Sequence, residues 1–229
     1  MKAFIKADLK YYPNENALID FKDWLVRNDR YYIRKYIIVL RHLEYHLNNN
    51  SLIHKVLHVY WFVKWKRLCY KMALEVPANC CDEGLWLFHS IKGKIGIVPH
   101  ARIGKRVIIR PGVVLGYTGD TMREDVCAPI IDNDVEFSWG VKVFGKIHVG
   151  RGALLNANCV PMSNVPPYAI MVGNPAKVIG FTKTPEEIVE YEKVHYSEEE
   201  RLPLELLQKN YQRYFISRFD EIKRHVSIV

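Results

Sequence analysis

Between residue 85 and about residue 180 the apolar positions recur every sixth residue. Leu85, Ile91, Ile97, Ile103, Ile109 and Leu115 form one series. After a polar interruption, Ile131, Phe137, Val143, Val149 and Leu155 form a second in a new phase. Four residues beyond most of these stands a small or β-branched side chain: Ile95, Ala101, Val107, Val113, Val135, Val141, Ile147, Ala153 and Cys159. A period of six fits neither an α-helix nor a simple alternating strand, so it reads as a solenoid coil. Six residues of extended chain and a bend turn one aliphatic inward, and three such units close a triangular turn. The inward residues then stack from coil to coil, and each coil buries its face only against its neighbours. Glycines at 104, 116 and 150 ease the bends. The interruption at residues 117–129, "YTGDTMREDVCAP", lacks the rhythm and is expected to leave the prism as a loop. A loop held on a rigid scaffold is a natural place for ligand contacts.

The flanks read as helices. Residues 1–74 form an N-terminal helical region with helical spacing over 20–28, 31–47 and 52–72, broken by Asn48-Asn49-Asn50-Ser51. Pro77 disfavours helix at the residue before it, and the coils occupy 75–180. In the remaining segment, 181–229, Thr184 followed by Pro185 and Glu187 predicts a helix start, and Ser197 with Glu200 repeats that pattern. The charges of these C-terminal helices are expected to form a solvated face. The stretch "HVYWFVKWKRLCYK" mixes aromatic residues and cations. It suits a helix packed on the end of the prism with its lysines in water. Peripheral attachment to a membrane surface is the alternative. No nucleic-acid-reading module surrounds these cations.

Composition narrows the classes. The 229 residues, 49% hydrophobic, suffice for one large or two small cores, and a net charge of +8 suits an anionic ligand or an acidic surface. Five cysteines without metal-ligand spacing, two of them adjacent at Cys80 and Cys81, read as reduced buried thiols in a cytoplasmic protein. Lys6, Asp8 and Lys10 interrupt any secretory leader pattern.

The segments "IGIVPHARIGKRVIIRPGVVLG", "APIIDNDVEFSWGVKVFGKIHVGRGALLNANCV" and "NVPPYAIMVGNPAKVIG" resemble the hexapeptide-repeat acyltransferases. Within them the likeness is to the serine acetyltransferase-like branch, which includes polysaccharide O-acetyltransferases. The resemblance covers about residues 70–180. It implies a left-handed parallel β-helix, a homotrimer and acetyl-CoA as donor. It also points to His89 in "LFHSIKG" as general base and to Glu75 in "LEVP" as the acid that orients it. For coenzyme A it implies a groove lined by Trp139 and Gly140 in "SWGVK", Ala157 in "NANCV", and Gly173, Asn174, Ala176 and Lys177 in "VGNPAK". His100 and His148 read as surface residues, with His100 the fallback base.

Serine-specific relatives carry an aspartate before the base and a second histidine after the loop, where this chain has Phe88 and Ala128. A sugar, glycan or glycan-precursor hydroxyl is therefore the expected acceptor. Serine O-acetylation for cysteine synthesis and a non-catalytic interaction solenoid are the alternatives. No metal site is expected, since the coil histidines are scattered.

Overall fold

The hexapeptide count becomes a winding around three sheets. The structure, a computed structural model, describes residues 1–13, 16–88, 93–118 and 127–214. Eleven short strands carry the winding: β1 (Leu74–Glu75), β2 (Trp86–Leu87), β3 (Ile95–Ile97), β4 (Arg102–Ile103), β5 (Ile108–Ile109), β6 (Val114–Gly116), β7 (Ile130–Ile131), β8 (Glu136–Phe137), β9 (Lys142–Phe144), β10 (His148–Val149) and β11 (Leu154–Leu155). One sheet runs β1-β3-β6-β9 and a second β4-β7-β10, while a third begins β2-β5-β8-β11. Every pairing among them is parallel, and from β2 onward each joins a strand to the third one after it. The third sheet ends in a hairpin of β12 (Ala169–Gly173) and β13 (Ala176–Phe181), paired antiparallel.

Register shows how the loop is accommodated. Glu136 pairs with Leu154, eighteen residues on, which is three hexapeptides. Across the interruption Ile108 pairs with Glu136, twenty-eight residues on. Ten residues therefore leave the winding without shifting it. Residues 119–126, the centre of the expected loop, lie outside the described residues.

Nearly all the expected inward positions are buried, from Ile97 through Leu155 in the large column and from Ile95 through Cys159 in the small one. Ile147 is only partly buried, and Ile91 lies outside the described residues. One assignment is corrected. Leu87, not Leu85, stacks on Ile109, twenty-two residues later. Leu85 is buried too, but two residues before Leu87 it belongs to the small-residue column. Four surplus residues thus fall between β2 and β3.

The N-terminal region forms α1 (Lys2–Leu9), α2 (Ala17–Leu25), α3 (Asp29–Leu47) and α4 (Leu52–Met72). The side chains of Asn16, Asn28 and Ser51 cap the last three. The helix α1 did not stand out in the sequence because Asp8 breaks its apolar run. Asp8 is fully buried, and it closes the first coil. Its carboxylate accepts the N–H groups of Gly84 (2.6 Å) and Leu85 (2.9 Å). It also pairs with Arg41, which donates to the carbonyls of Cys81 (2.8 Å) and Asp82 (2.7 Å). The Tyr12 hydroxyl accepts from Leu87 N–H at 2.5 Å and donates to its carbonyl at 2.8 Å. Tyr36 does the same for Val76, at 2.9 and 3.3 Å. Each of the three sheets therefore has its first edge met by a side chain of the N-terminal region. No described helix is long and apolar enough to cross a membrane.

Helix α5 (Pro185–His195) starts where expected, with Thr184 and Glu187 in a reciprocal capping box and proline in the first turn. Ser197 and Glu200 start only a single 3₁₀ turn, and the chain is helical again over 204–214. Residues 215–229 lie outside the described residues. The expectation of a wholly solvated charged face is corrected at Glu192, which is 1% exposed and accepts from the Tyr168 hydroxyl at 3.0 Å and Leu202 N–H at 2.6 Å. All five cysteines are free thiols, and four are buried.

Candidate active site

Two columns of left-handed corners run up the prism, and among the described residues only one is covered. The first comprises Gly84, Arg106, Asp134, Gly152 and Tyr168. The C-terminal segment closes over it. Arg106 donates to Asp134 at 2.5 and 2.8 Å, Tyr196 donates to the same carboxylate, and Arg151 stacks on the Tyr196 ring at 4.3 Å. Burial and the Asp134 carboxylate push the Tyr196 hydroxyl well above its usual range.

The second column comprises Pro111–Gly112, Trp139–Gly140 and Ala157–Asn158, with Gly112, Gly140 and Asn158 left-handed. Gly140 N–H donates to Pro111 O at 2.9 Å, and Asn158 N–H to Trp139 O at 2.8 Å. Trp139 is 42% exposed, and Ala157 and Asn158 are exposed. At its upper end the hairpin tip closes in, with Val160 N–H donating to Gly173 O at 3.0 Å and Ala176 N–H to Val160 O at 2.9 Å. The structure thus brings together Trp139, Gly140, Ala157, Gly173 and Ala176, while Asn174 and Lys177 stand exposed at that tip. Gly140 has a packing reason of its own. Its φ is +71°, and a Cβ there would run into the Asn158 side chain. Lys142, not singled out in the sequence, places its ammonium 3.0 Å from Gly140 O. Its signal was position alone, one strand step past the glycine.

The foot of this column is Gly93, where a Cβ would come within 2.8 Å of the Pro111 side chain. His89 lies outside the described residues, in the stretch 89–92 that leads from Phe88 to Gly93. Phe88 N–H donates to Ile109 O at 3.0 Å, its ring meets Trp86 edge-on at 5.7 Å, and the Arg110 guanidinium lies over it at 5.6 Å. Arg110 in turn is ion-paired with Glu136. Ala128 is 5% exposed, so a methyl is packed where the resemblance has a second histidine.

Glu75 stands on a different sheet from β2. Its carboxylate pairs at 2.8 Å with Lys66, both side chains about half exposed. That hydrogen bond raises the Lys66 ammonium above its usual range. His100 Nδ1 lies 2.7 Å from the Tyr117 hydroxyl. His148 Nε2 lies 2.8 Å from Asp132, and its N–H donates to Asn164. Both are exposed and partnered. A cleft of about 800 Å³ runs between α1, α3 and strands β4 and β7, away from the open column. Its Arg41 and Glu44 are engaged in closing the first coil, so the cleft reads as the seam between cap and prism. Among the described residues no three His, Cys, Asp or Glu side chains converge as a metal-holding group.

No family model matches the chain. It is 36% identical over 109 residues to a serine acetyltransferase of Buchnera aphidicola, covering 45% of this chain and 38% of the relative. It is also 36% identical over 105 residues to serine acetyltransferase 4 of Arabidopsis thaliana, covering 46% and 28%. The chain thus spans well under half the length of these relatives. The solved serine acetyltransferase of Neisseria gonorrhoeae superposes with a TM-score of 0.57 at 22% identity, over 81% of this chain and 68% of that one. This chain shares their fold.

Proposed function

We propose that this chain is an acetyl-CoA-dependent O-acetyltransferase, with a left-handed winding and a homotrimeric assembly as parts of that reading. The observation that carries it is the open corner column, the one that no described part of the C-terminal segment covers. It runs from the foot at Gly93, next to the stretch bearing His89, up to the hairpin tip at Gly173 and Ala176. Beside Trp139 the column is lined by small residues, Gly112, Gly140 and Ala157, which lets an extended thioester approach the backbone closely. Lys142 and Lys177 supply cations for its phosphates.

A thioester is already activated, so the protein's task is to place a hydroxyl against the carbonyl and remove its proton. In this reading the His89 imidazole takes that proton as the new C–O bond forms. It then passes the proton to the departing coenzyme A sulfur as the C–S bond breaks. Glu75 is engaged with Lys66, so it orients the base only if that pair opens.

For the acceptor, the names of the relatives support serine. A carbohydrate acceptor finds no support among them. It stays as a second reading for one reason: at the positions of the expected aspartate and second histidine the chain has Phe88 packed under Arg110 and a buried Ala128. The test is thiol release from acetyl-CoA with serine, nucleotide sugars and oligosaccharides as acceptors. Serine-dependent release supports the first acceptor and sugar-dependent release the second. No acceptor-stimulated release with any hydroxyl compound overturns the proposed activity.

A further inference from the structure

Four histidines stand in register across the hairpin of α3 and α4. The turn at 48–51 is short, so the helices run antiparallel and positions equally far from it face one another. His46 thereby faces His54, and His42 faces His58, with each helix contributing a pair one turn apart. The inner pair is in contact, with His46 Nδ1 2.7 Å from His54 Nδ1. Tyr45 flanks both rings edge-on, at 5.2 and 5.3 Å, and His42 stacks on Trp61 at 4.4 Å. His46 is 9% exposed, while His42, His54 and His58 are half-buried and reachable from water.

Contact between two Nδ1 atoms constrains the protons. One ring carries its proton at Nδ1 and the other presents a lone pair there. If the donor ring shifts to the Nε2–H tautomer, two lone pairs from two helices converge on one point with no net change in charge. Such a pair of neutral imidazoles is a ligand set for borderline divalent ions. We propose that His46 and His54 form an interhelical binding site for a divalent transition metal ion of the zinc, cobalt, nickel or copper class.

Metal–nitrogen bonds of about 2.0–2.1 Å at a tetrahedral ion set the two nitrogens roughly 3.3 Å apart, so the rings must part by about 0.6 Å. That is within the reach of small side-chain rotations. Two imidazoles leave the remaining positions to water. The ion would tie α4 to α3, the helix whose Tyr36, Arg41 and Glu44 hold the first coil.

The test uses the full chain without a polyhistidine tag, treated with chelator and titrated with zinc chloride or cobalt chloride. Calorimetry should show one ion per chain, and saturation should raise the melting temperature by several degrees. His46→Ala and His54→Ala should each weaken binding about tenfold or more, and His195→Ala should leave it unchanged. His54 is half-buried, so His54→Gln separates ligation from folding. Lost binding with an unaltered ion-free melting temperature supports the site. No saturable binding, or binding retained by both variants, overturns the proposal.

Discussion

Arg41 and Asp8 meet at 2.7 Å with their side chains 2% and 0% exposed, although they are thirty-three residues apart in the chain. Neither charge is left over. Arg41 also holds Glu44 and two carbonyls of the first coil, and Asp8 takes two of its N–H groups. The pair is a joint between the helical cap and the prism.

Arg41→Met would leave the Asp8 carboxylate buried without its counter-charge. The expected cost is about 3–5 kcal/mol, read as a lower denaturant midpoint in urea. The double replacement Asp8→Asn with Arg41→Met should recover part of that loss, because no bare charge then remains inside.

His89→Ala should lower kcat for acetyl transfer by about two to four orders of magnitude and leave the KM for acetyl-CoA nearly unchanged. Steady-state kinetics with saturating acceptor decides it. A variant that keeps near-full turnover removes His89 from the mechanism.

Ala157→Trp tests the open column. Ala157 is exposed, so a larger side chain there should leave the melting temperature unchanged within experimental scatter. In the groove it should raise the KM for acetyl-CoA about tenfold or more, a loss of about 1.4 kcal/mol of binding. Unchanged KM with normal stability would move the donor site elsewhere.

Alkaline pH should unfold the protein. Burial pushes the Cys69 and Cys159 thiols up to about 11 and the Tyr12 and Tyr36 hydroxyls well above their usual range. Groups raised in this way favour folding below their unfolded pKa, near 8.5 for a thiol, and that contribution is lost as pH rises through the folded values. Melting temperature should therefore fall between about pH 9 and 11, and native Cys69 and Cys159 should resist alkylation at pH 8. Equal alkylation of native and unfolded protein would contradict this.

Much of the prism was legible because a solenoid repeats its burial pattern, so each coil confirms the last. The error at Leu85 has a physical origin. Both inner columns accept leucine, and a count of sixes slides from one to the other when four surplus residues fall between β2 and β3. The charged joints were illegible for a different reason. Asp8 and Glu192 look solvated in one dimension, and only folding brings them to Arg41 and Tyr168. The histidine pair of the helical hairpin escaped notice because its two members are adjacent only across the turn. The candidate groove was legible only through resemblance; its distinguishing feature, a corner column left uncovered, belongs to three dimensions.

The hydroxyls of Tyr12 and Tyr36 and the guanidinium of Arg41 have a consequence beyond the single chain. A parallel solenoid ends in bare strand edges that can template another such end, and growth of that kind leads to fibrils. Here each edge of the first turn is met by a side chain from the chain's own N-terminal region. The helical cap therefore serves as a terminator of polymerisation, and variants that loosen it should be prone to end-to-end aggregation before they lose their coils.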